Sequence, residues 1–360
     1  VKGNNIFGCI FKKTSELKFK RNGFTVINGY GKFLLPGMID IHIHGVNQYN
    51  LSMINEVSLR KLENYLLKHG ITSFIPTFYS IPFKNLKKNL QFYRDYIYKY
   101  KNNTCIAGVN LEGPFLNKKQ CGSHNKKYLK NFKDSNYINL IKEFRDIIRI
   151  ITISPEIPFA IKYIKLFSNY GIKVMLGHTL ADFQQSMRAF SAGASGVTHF
   201  YNKITPFHHR NVGLMGAVFL NENVFVELIA DGLHTSKQAL QIALKNIPLS
   251  KVIIVSDSIA RPEGARLVRG FNGCKGYMDR YGNFIGGSSN LLGLLFYIVK
   301  KVGIKLEEAW NMVSTNPGVF IDEKQNFGVV KKGKKADLLI VSKKMKIEKV
   351  IKSGEVVCAE

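Results

Sequence analysis

The chain has 360 residues, and 45% of them are hydrophobic, which is enough apolar material for a large packed core in one or two domains. This composition excludes a fibrous or wholly disordered protein, and the absence of any run of about 18 apolar residues predicts no membrane span. The 52 basic residues outnumber the 25 acidic ones, for a net charge of +27. Because the lysines are scattered along the chain, we attribute this excess to compositional bias and expect no nucleic-acid partner.

The cysteines and the amino-terminal segment bear on the cellular compartment. The chain has five cysteines, an odd number, and none of them stands in a C-x-x-C pair. The first residues show no basic segment followed by an apolar one, as a secretory signal would. We therefore expect no disulfide framework and a cytoplasmic location.

Taken in chain order, apolar β-branched runs alternate with helical patterns. The predicted strands are Met38–His44, Ser73–Thr77, Cys105–Leu111, Ile147–Ser154, Lys173–Leu176, Gly196–His199, Val224–Ile229 and Lys251–Ser256. The predicted helices are Glu56–Lys68, Phe83–Lys99, Asn136–Phe144, Phe159–Asn169, Ala181–Ala192, Ser236–Lys245, Asn290–Val302 and Leu306–Val313. This alternation predicts a parallel (β/α)₈ TIM-type barrel over residues 36–329. The turn-rich segments 1–35 and 330–360 predict a small β-sandwich-like domain that the two ends form together.

Side chains able to bind metals or transfer protons follow five of the predicted strands. His42 and His44 end the first strand, and their spacing of two places both imidazoles on one face, within reach of a common metal ion. Glu112, His178, His199 and Asp257 follow the third, fifth, sixth and eighth strands. Each of these residues alone has an ordinary explanation, such as a turn residue or a helix cap. Their convergence at the carboxyl ends of barrel strands, where active sites lie, predicts a metal centre.

The motifs at these strand ends resemble the amidohydrolase superfamily and, within it, the N-acetylglucosamine-6-phosphate deacetylases. The residues that carry the resemblance are His42-Ile-His44-Gly45, Leu111-Glu-Gly-Pro-Phe115, Gly177-His-Thr179, Thr198-His-Phe-Tyr-Asn202, Ala230-Asp-Gly-Leu-His234 and Ser256-Asp-Ser258. Glu112 stands where dihydroorotases and ureases have a carboxylated lysine. The resemblance extends from Pro36 to Ser289 and implies the barrel fold expected from the strand pattern.

The resemblance also implies a role for each site residue. Glu112, His178 and His199 would hold one divalent ion, and His42 and His44 a second one, with Glu112 bridging; zinc is the leading choice, with iron, manganese and cobalt as alternatives. Asp257 matches the general acid/base. The residues that match the sugar-phosphate pocket are Ser123, His124, Asn202, Lys203, Arg210, Asp231, Gly232, Leu233, His234, Ile285, Gly286 and Gly287.

The implied activity is removal of the acetyl group from N-acetylglucosamine 6-phosphate by a homodimer in which Arg210 reaches into the neighbouring subunit's pocket. The chemistry is consistent with these roles, because a bound divalent ion lowers the pKa of its water to about 7 and a carboxylate can return the proton to the amine. Two alternatives stay open at this point. One is the galactosamine epimer of the substrate, and the other is a basic nucleic-acid-binding barrel that has lost activity.

Overall fold

The fold was examined in a computed structural model, which describes residues 1, 3–6, 27–322 and 326–359. Its centre is a sheet of eight parallel strands in which chain neighbours are also hydrogen-bonded neighbours. In chain order these barrel strands are Met38–Ile43, Ile71–Phe78, Val109–Glu112, Ile148–Ile153, Lys173–Leu176, Ala194–Val197, Phe225–Leu228 and Val252–Ile254. A parallel bridge between Ile43 and Ser258 joins the first strand to the end of the last. The predicted (β/α)₈ barrel is therefore confirmed.

Helices cover the outside of the barrel. They are Glu56–Lys68, Phe83–Tyr100, Ser135–Glu143, Ala160–Asn169, Phe183–Ser191, Gly213–Phe219, Lys237–Asn246, Leu291–Tyr297, Leu306–Val313 and Thr315–Ile321. Local capping explains where several begin. Asp182 accepts a hydrogen bond from the Gln185 backbone N–H, and the Gln185 side chain accepts one from the Asp182 N–H, which is a capping box. The helices Gly213–Phe219 and Thr315–Ile321 were not predicted from the sequence.

Two layers of apolar side chains fill the barrel and surround it. The inner layer contains Ile39, Ile41, Ile75, Ile150, Met175, Ile229, Ile253, Val255 and Phe320. Phe320 comes from the last helix and packs against this inner layer. The outer layer lies between strands and helices and includes large aliphatic and aromatic residues from nearly every element. Because the interior is packed, polar chemistry is confined to the strand ends and the loops that follow them.

The two ends of the chain meet in an antiparallel sheet beside the barrel. Phe33–Pro36 pairs with Leu338–Val341, which continues to Ile347–Lys352 and Glu355–Ala359. Lys352 and Asp337 form a buried ion pair at 2.8 Å within this region. The predicted small β domain also includes residues 7–26, which lie outside the described residues.

A second antiparallel sheet, which the sequence reasoning missed, follows the last barrel strand. It consists of Arg266–Arg269, Lys275–Met278 and Phe284–Gly287. The turn before its last strand carries Gly282 at a φ of +85°, a conformation that favours glycine. This sheet is placed over the mouth of the barrel by the bridge between Ser258 and Gly287. In the described parts of the chain, we find no helix with the length and hydropathy of a membrane span.

Candidate active site

Glu112 lies at the centre of a cluster of buried imidazoles at the mouth of the barrel. Its Oε1 atom is 2.9 Å from His178 Nε2 and 2.9 Å from His199 Nε2. Its Oε2 atom is 3.0 Å from His124 Nε2 and 3.3 Å from His44 Nε2. The strand ends therefore bring together the side chains predicted to meet, although they are far apart in the chain.

The hydrogen bonds of three imidazoles hold their rings with Nε2 toward Glu112. The Nδ1–H groups of His42, His44 and His178 donate to the Glu227 carboxylate at 3.0 Å, the Thr77 carbonyl at 3.0 Å and the Gln120 carbonyl at 2.8 Å. In a neutral imidazole the proton is then on Nδ1 and the lone pair is on Nε2. Metal-bound histidines are oriented by the same kind of contact.

The spacing of these nitrogens fits a divalent metal ion. His42 Nε2 is 3.2 Å from His44 Nε2, and His178 Nε2 is 3.1 Å from His199 Nε2. Two facing lone pairs repel each other at such distances. Ligands about 2.0–2.1 Å from a tetrahedral zinc ion lie about 3.3 Å apart, so the observed spacings match a ligand set. His42, His44 and Glu112 therefore form one group whose ligand atoms lie close enough to hold an ion, and Glu112, His124 and His178 form another. His199 Nε2 lies beside this second group, 2.9 Å from Glu112 and 3.1 Å from His178.

The protonation of the cluster follows from burial and charge. Burial lowers the pKa of His178 to about 4, which keeps this imidazole neutral and able to bind a metal. Burial also opposes protonation of His42, but the nearby carboxylate of Glu227, helped by those of Glu112 and Asp257, raises its pKa to about 10. Burial alone would raise the pKa of Glu112, and the surrounding imidazoles, chiefly His124 and His178, hold it well below its usual value. The carboxylates thus stabilise positive charge on His42, and the imidazoles keep Glu112 ionised.

Three of the site residues have left-handed backbone conformations. His178, His199 and Asp257 have φ values of 49°, 28° and 44°, and each follows the end of a barrel strand. Such φ values are uncommon for residues other than glycine and cost of order 1–3 kcal/mol each. The surrounding barrel imposes this geometry, which turns each side chain away from the strand direction and into the barrel mouth.

Glu227 is a functional residue that the sequence analysis missed. It lies on the seventh barrel strand, is fully buried, and accepts hydrogen bonds from His42 Nδ1–H and from the His199 backbone N–H at 3.2 Å. Glu227 therefore contacts both the His42 and His44 pair, through His42, and the His178 and His199 pair, through His199. The sequence feature that could have identified it is a carboxylate inside an otherwise apolar run. A carboxylate is costly to bury without a partner.

Asp257 stands beside the His42 and His44 pair. Its Oδ1 atom is 3.6 Å from His42 Nε2 and 3.5 Å from His44 Nε2, and 15% of its side chain is exposed. Backbone contacts hold the loop, because the Asp257 N–H donates to the His42 carbonyl and its carbonyl accepts from the Gly287 N–H. Among the described residues, its carboxylate accepts no hydrogen bond. Asp257 thus places a partly exposed carboxylate next to the His/Glu cluster.

A cavity of about 370 Å³ opens over the cluster. Its lining includes the predicted residues Glu112, Ser123, His124, His178, His199, Asn202, Lys203, His234, Asp257, Ile285 and Gly286. His234 donates from Nδ1 to Asp231 at 2.6 Å, which leaves its Nε2 toward the cavity. His234 Nε2 and Asn202 Nδ2 are both buried and have no hydrogen-bond partner within the described ranges. These atoms are therefore suited to a polar ligand.

The other predicted pocket residues lie outside this lining. Asp231 holds the segment that carries Leu233 and His234, because its carboxylate accepts the backbone N–H groups of both residues. Gly232 has a φ of +72°, and a Cβ there would stand 2.4 Å from the Tyr297 hydroxyl. The Gly287 N–H donates a hydrogen bond to the Asp257 carbonyl and so helps to hold the Asp257 loop.

Arg210 is exposed, on the loop that carries His208 and His209, and is not part of the cavity lining within one chain.

Comparison with known proteins places the chain among metal-dependent hydrolases. The model of the amidohydrolase family matches residues 33–357. The N-acetylglucosamine-6-phosphate deacetylase of Haemophilus influenzae is 30% identical over 343 residues, which cover 92% of this chain and 88% of that protein. The corresponding deacetylase of Vibrio furnissii is 28% identical over 330 residues, or 90% of this chain and 82% of that protein. The crystal structure of the Pasteurella multocida deacetylase superposes with a TM-score of 0.89 at 26% identity, covering 100% of this chain and 94% of that one.

Proposed function

The chain belongs to the amidohydrolase family, and we propose that it hydrolyses N-acetyl-D-glucosamine 6-phosphate to acetate and D-glucosamine 6-phosphate in amino-sugar metabolism. The observation that carries this proposal is the set of imidazole Nε2 atoms around Glu112, which faces a cavity large enough for a monosaccharide phosphate. The H. influenzae, V. furnissii and P. multocida proteins, which bear this activity in their names, support the choice of substrate.

We propose zinc as the metal, with Glu112, His178 and His199 holding one ion and His42, His44 and Glu112 holding a second. A zinc ion bound there would polarise the amide carbonyl and make an adjacent water a nucleophile near neutral pH. The mixed set of nitrogen and carboxylate donors suits zinc. The chain's own contribution is to orient three of these ligands, because the Nδ1–H groups of His44 and His178 donate to backbone carbonyls and that of His42 donates to Glu227.

Asp257 is the proposed proton carrier. Water adds to the amide carbon to form a C–O bond while Asp257 accepts the water's proton. The same proton then passes to the amide nitrogen, so the C–N bond breaks and the amine leaves in neutral form. Proton transfer by a positioned group contributes about 10²–10⁴ in rate. The position of Asp257, beside His42 and His44 and at the cavity wall, supports this role.

His234 is better placed than His124 to stabilise charge on the substrate. His124 Nδ1 accepts a hydrogen bond from the Ser80 N–H at 3.2 Å, so its proton is on Nε2 and is donated to Glu112. His234 has its Nδ1–H on Asp231 and its Nε2 facing the cavity. When protonated, His234 can donate to the carbonyl oxygen as negative charge develops there.

For the phosphate, we propose Asn202 and Lys203 from the same chain and Arg210 from a second copy in a homodimer. The unpartnered Asn202 amide and the Lys203 side chain at the cavity wall support the first part. The exposure of Arg210 is consistent with its use by a neighbour, and a guanidinium binds phosphate through two parallel hydrogen bonds.

The decisive experiment is acetate release by the zinc-reconstituted enzyme. Three substrates are compared: N-acetylglucosamine 6-phosphate, its galactosamine epimer, and unphosphorylated N-acetylglucosamine. We expect the first to have the highest kcat/KM, and a chelator to abolish its turnover. A higher kcat/KM for the epimer would reassign the substrate, and no acetate from any of the three would refute the deacetylase proposal.

A further inference from the structure

The end of the second barrel strand, Ile71–Phe78, supplies no metal ligand and yet contacts two of the imidazoles in the cluster. The Thr77 carbonyl accepts the Nδ1–H of His44. The Ser80 N–H donates to Nδ1 of His124. Tyr79 stands between these two contacts in the chain, and its aromatic ring contacts both imidazoles.

The ring of Tyr79 is stacked face to face on the ring of His44. The centroids are 3.7 Å apart and the planes differ by 1°. Tyr79 also meets His124 at a centroid distance of 5.2 Å, with the two ring planes 85° apart. Both imidazoles approach Oε2 of Glu112, so the tyrosine ring packs against two groups that converge on one carboxylate oxygen. Of the contacts between the described residues, none is a hydrogen bond of the Tyr79 hydroxyl.

Tyr79 also faces the cavity. It lines the 370 Å³ cavity and an adjoining cavity of about 560 Å³, and His44 lines the second. A small side chain at this position would uncover the face of His44 and give that imidazole room to rotate about its Thr77 hydrogen bond.

We propose that Tyr79 is a positioning residue for the metal position formed by His42 and His44, and that its ring, rather than its hydroxyl, performs this role. The inference rests on the metal dependence in the proposed function. It predicts that this position loses affinity when the ring is removed, while the position at His178 and His199 does not. Loss of a contact that orients a ligand typically weakens metal binding about 10–100-fold.

The test is zinc binding by the full chain, measured by metal analysis and by competition with a chromogenic chelator. We expect two zinc equivalents in the unmodified protein and in Tyr79→Phe, which keeps the ring. In Tyr79→Leu we expect the second equivalent to bind 10–100-fold more weakly and the first to be unchanged. His44→Asn should show the same selective loss. The cobalt-substituted proteins provide an independent readout, since their absorption spectra report the coordination of each ion.

The matched control is Tyr65→Leu. Tyr65 lies on an outer helix and packs against His69 at a centroid distance of 4.3 Å, so this change removes a tyrosine–histidine contact away from the cluster. It should leave zinc binding unchanged. Melting temperatures identify any variant that fails to fold, and in that case the milder Tyr79→Met variant replaces Tyr79→Leu.

Three results would overturn the proposal. The first is that Tyr79→Leu binds the second zinc ion with an affinity within twofold of the unmodified protein. The second is that Tyr79→Phe loses as much affinity for that ion as Tyr79→Leu does. The third is that the unmodified protein binds only one zinc equivalent. The number of bound zinc ions is measured without substrate. A protein that binds two zinc ions and releases no acetate would therefore refute the proposed function without contradicting the role of Tyr79.

Discussion

Replacing Asp257 by asparagine separates its proposed proton transfer from any structural role. Its carboxylate accepts no hydrogen bond from the described residues, and the nearest imidazole nitrogens are 3.5 and 3.6 Å away. The loop is held by backbone contacts to His42 and Gly287 that the substitution keeps. We therefore expect the variant to fold, with at most a small change in melting temperature.

The expected loss in rate is much larger, because asparagine cannot accept the proton. A factor of about 10²–10⁴ in kcat corresponds to about 2.7–5.4 kcal/mol of activation free energy. The assay measures acetate release, zinc content and melting temperature on one preparation. Asp182→Asn is the control, since asparagine caps a helix as well as aspartate and Asp182 only caps Phe183–Ser191. Turnover of Asp257→Asn within a few-fold of the unmodified enzyme would show that another group carries the proton.

Four further outcomes are expected. His199→Ala should lose the zinc ion at Glu112 and His178 and with it all turnover, whereas His42→Ala should retain that ion; full zinc occupancy in His199→Ala would contradict the assignment. Glu227→Gln should weaken zinc binding about 10–100-fold in chelator competition, and an unchanged affinity would mean that its contact with His42 does not orient the ligand. Arg210→Ala should raise KM for the phosphorylated sugar far more than for N-acetylglucosamine, and equal effects would exclude a phosphate role. Burial raises the pKa of Cys105 to about 12, so the thiol stays protonated below that pH, and a thiol reagent that labels it rapidly at pH 8 in the folded protein would refute this.

Local sequence was sufficient to predict the barrel and most of the cluster. Apolar runs such as Val252–Val255 form strands because they bury both faces, and parallel strands separated by helices bring their carboxyl ends to one side. His178, His199 and Asp257 each follow such a run directly, so their meeting in space could be predicted without coordinates. The antiparallel sheet after the last strand could not be predicted in this way. Apolar and polar residues alternate only weakly along its short strands, which are stabilised by the barrel mouth that they cover.

The sequence by itself thus determined the fold class and which side chains converge, since both depend on patterns within a few residues of each other. Tertiary structure alone decided how they are held. Glu227 is 185 residues from its partner His42, and only the closed barrel brings the seventh strand next but one to the first. The pairing of the first strand with the second shifts register between Asp40 and Ile43, where the interior residues Ile39 and Ile41 give way to His42 at the barrel mouth. Such contacts depend on register and on packing between distant strands, and no local pattern of residues specifies either.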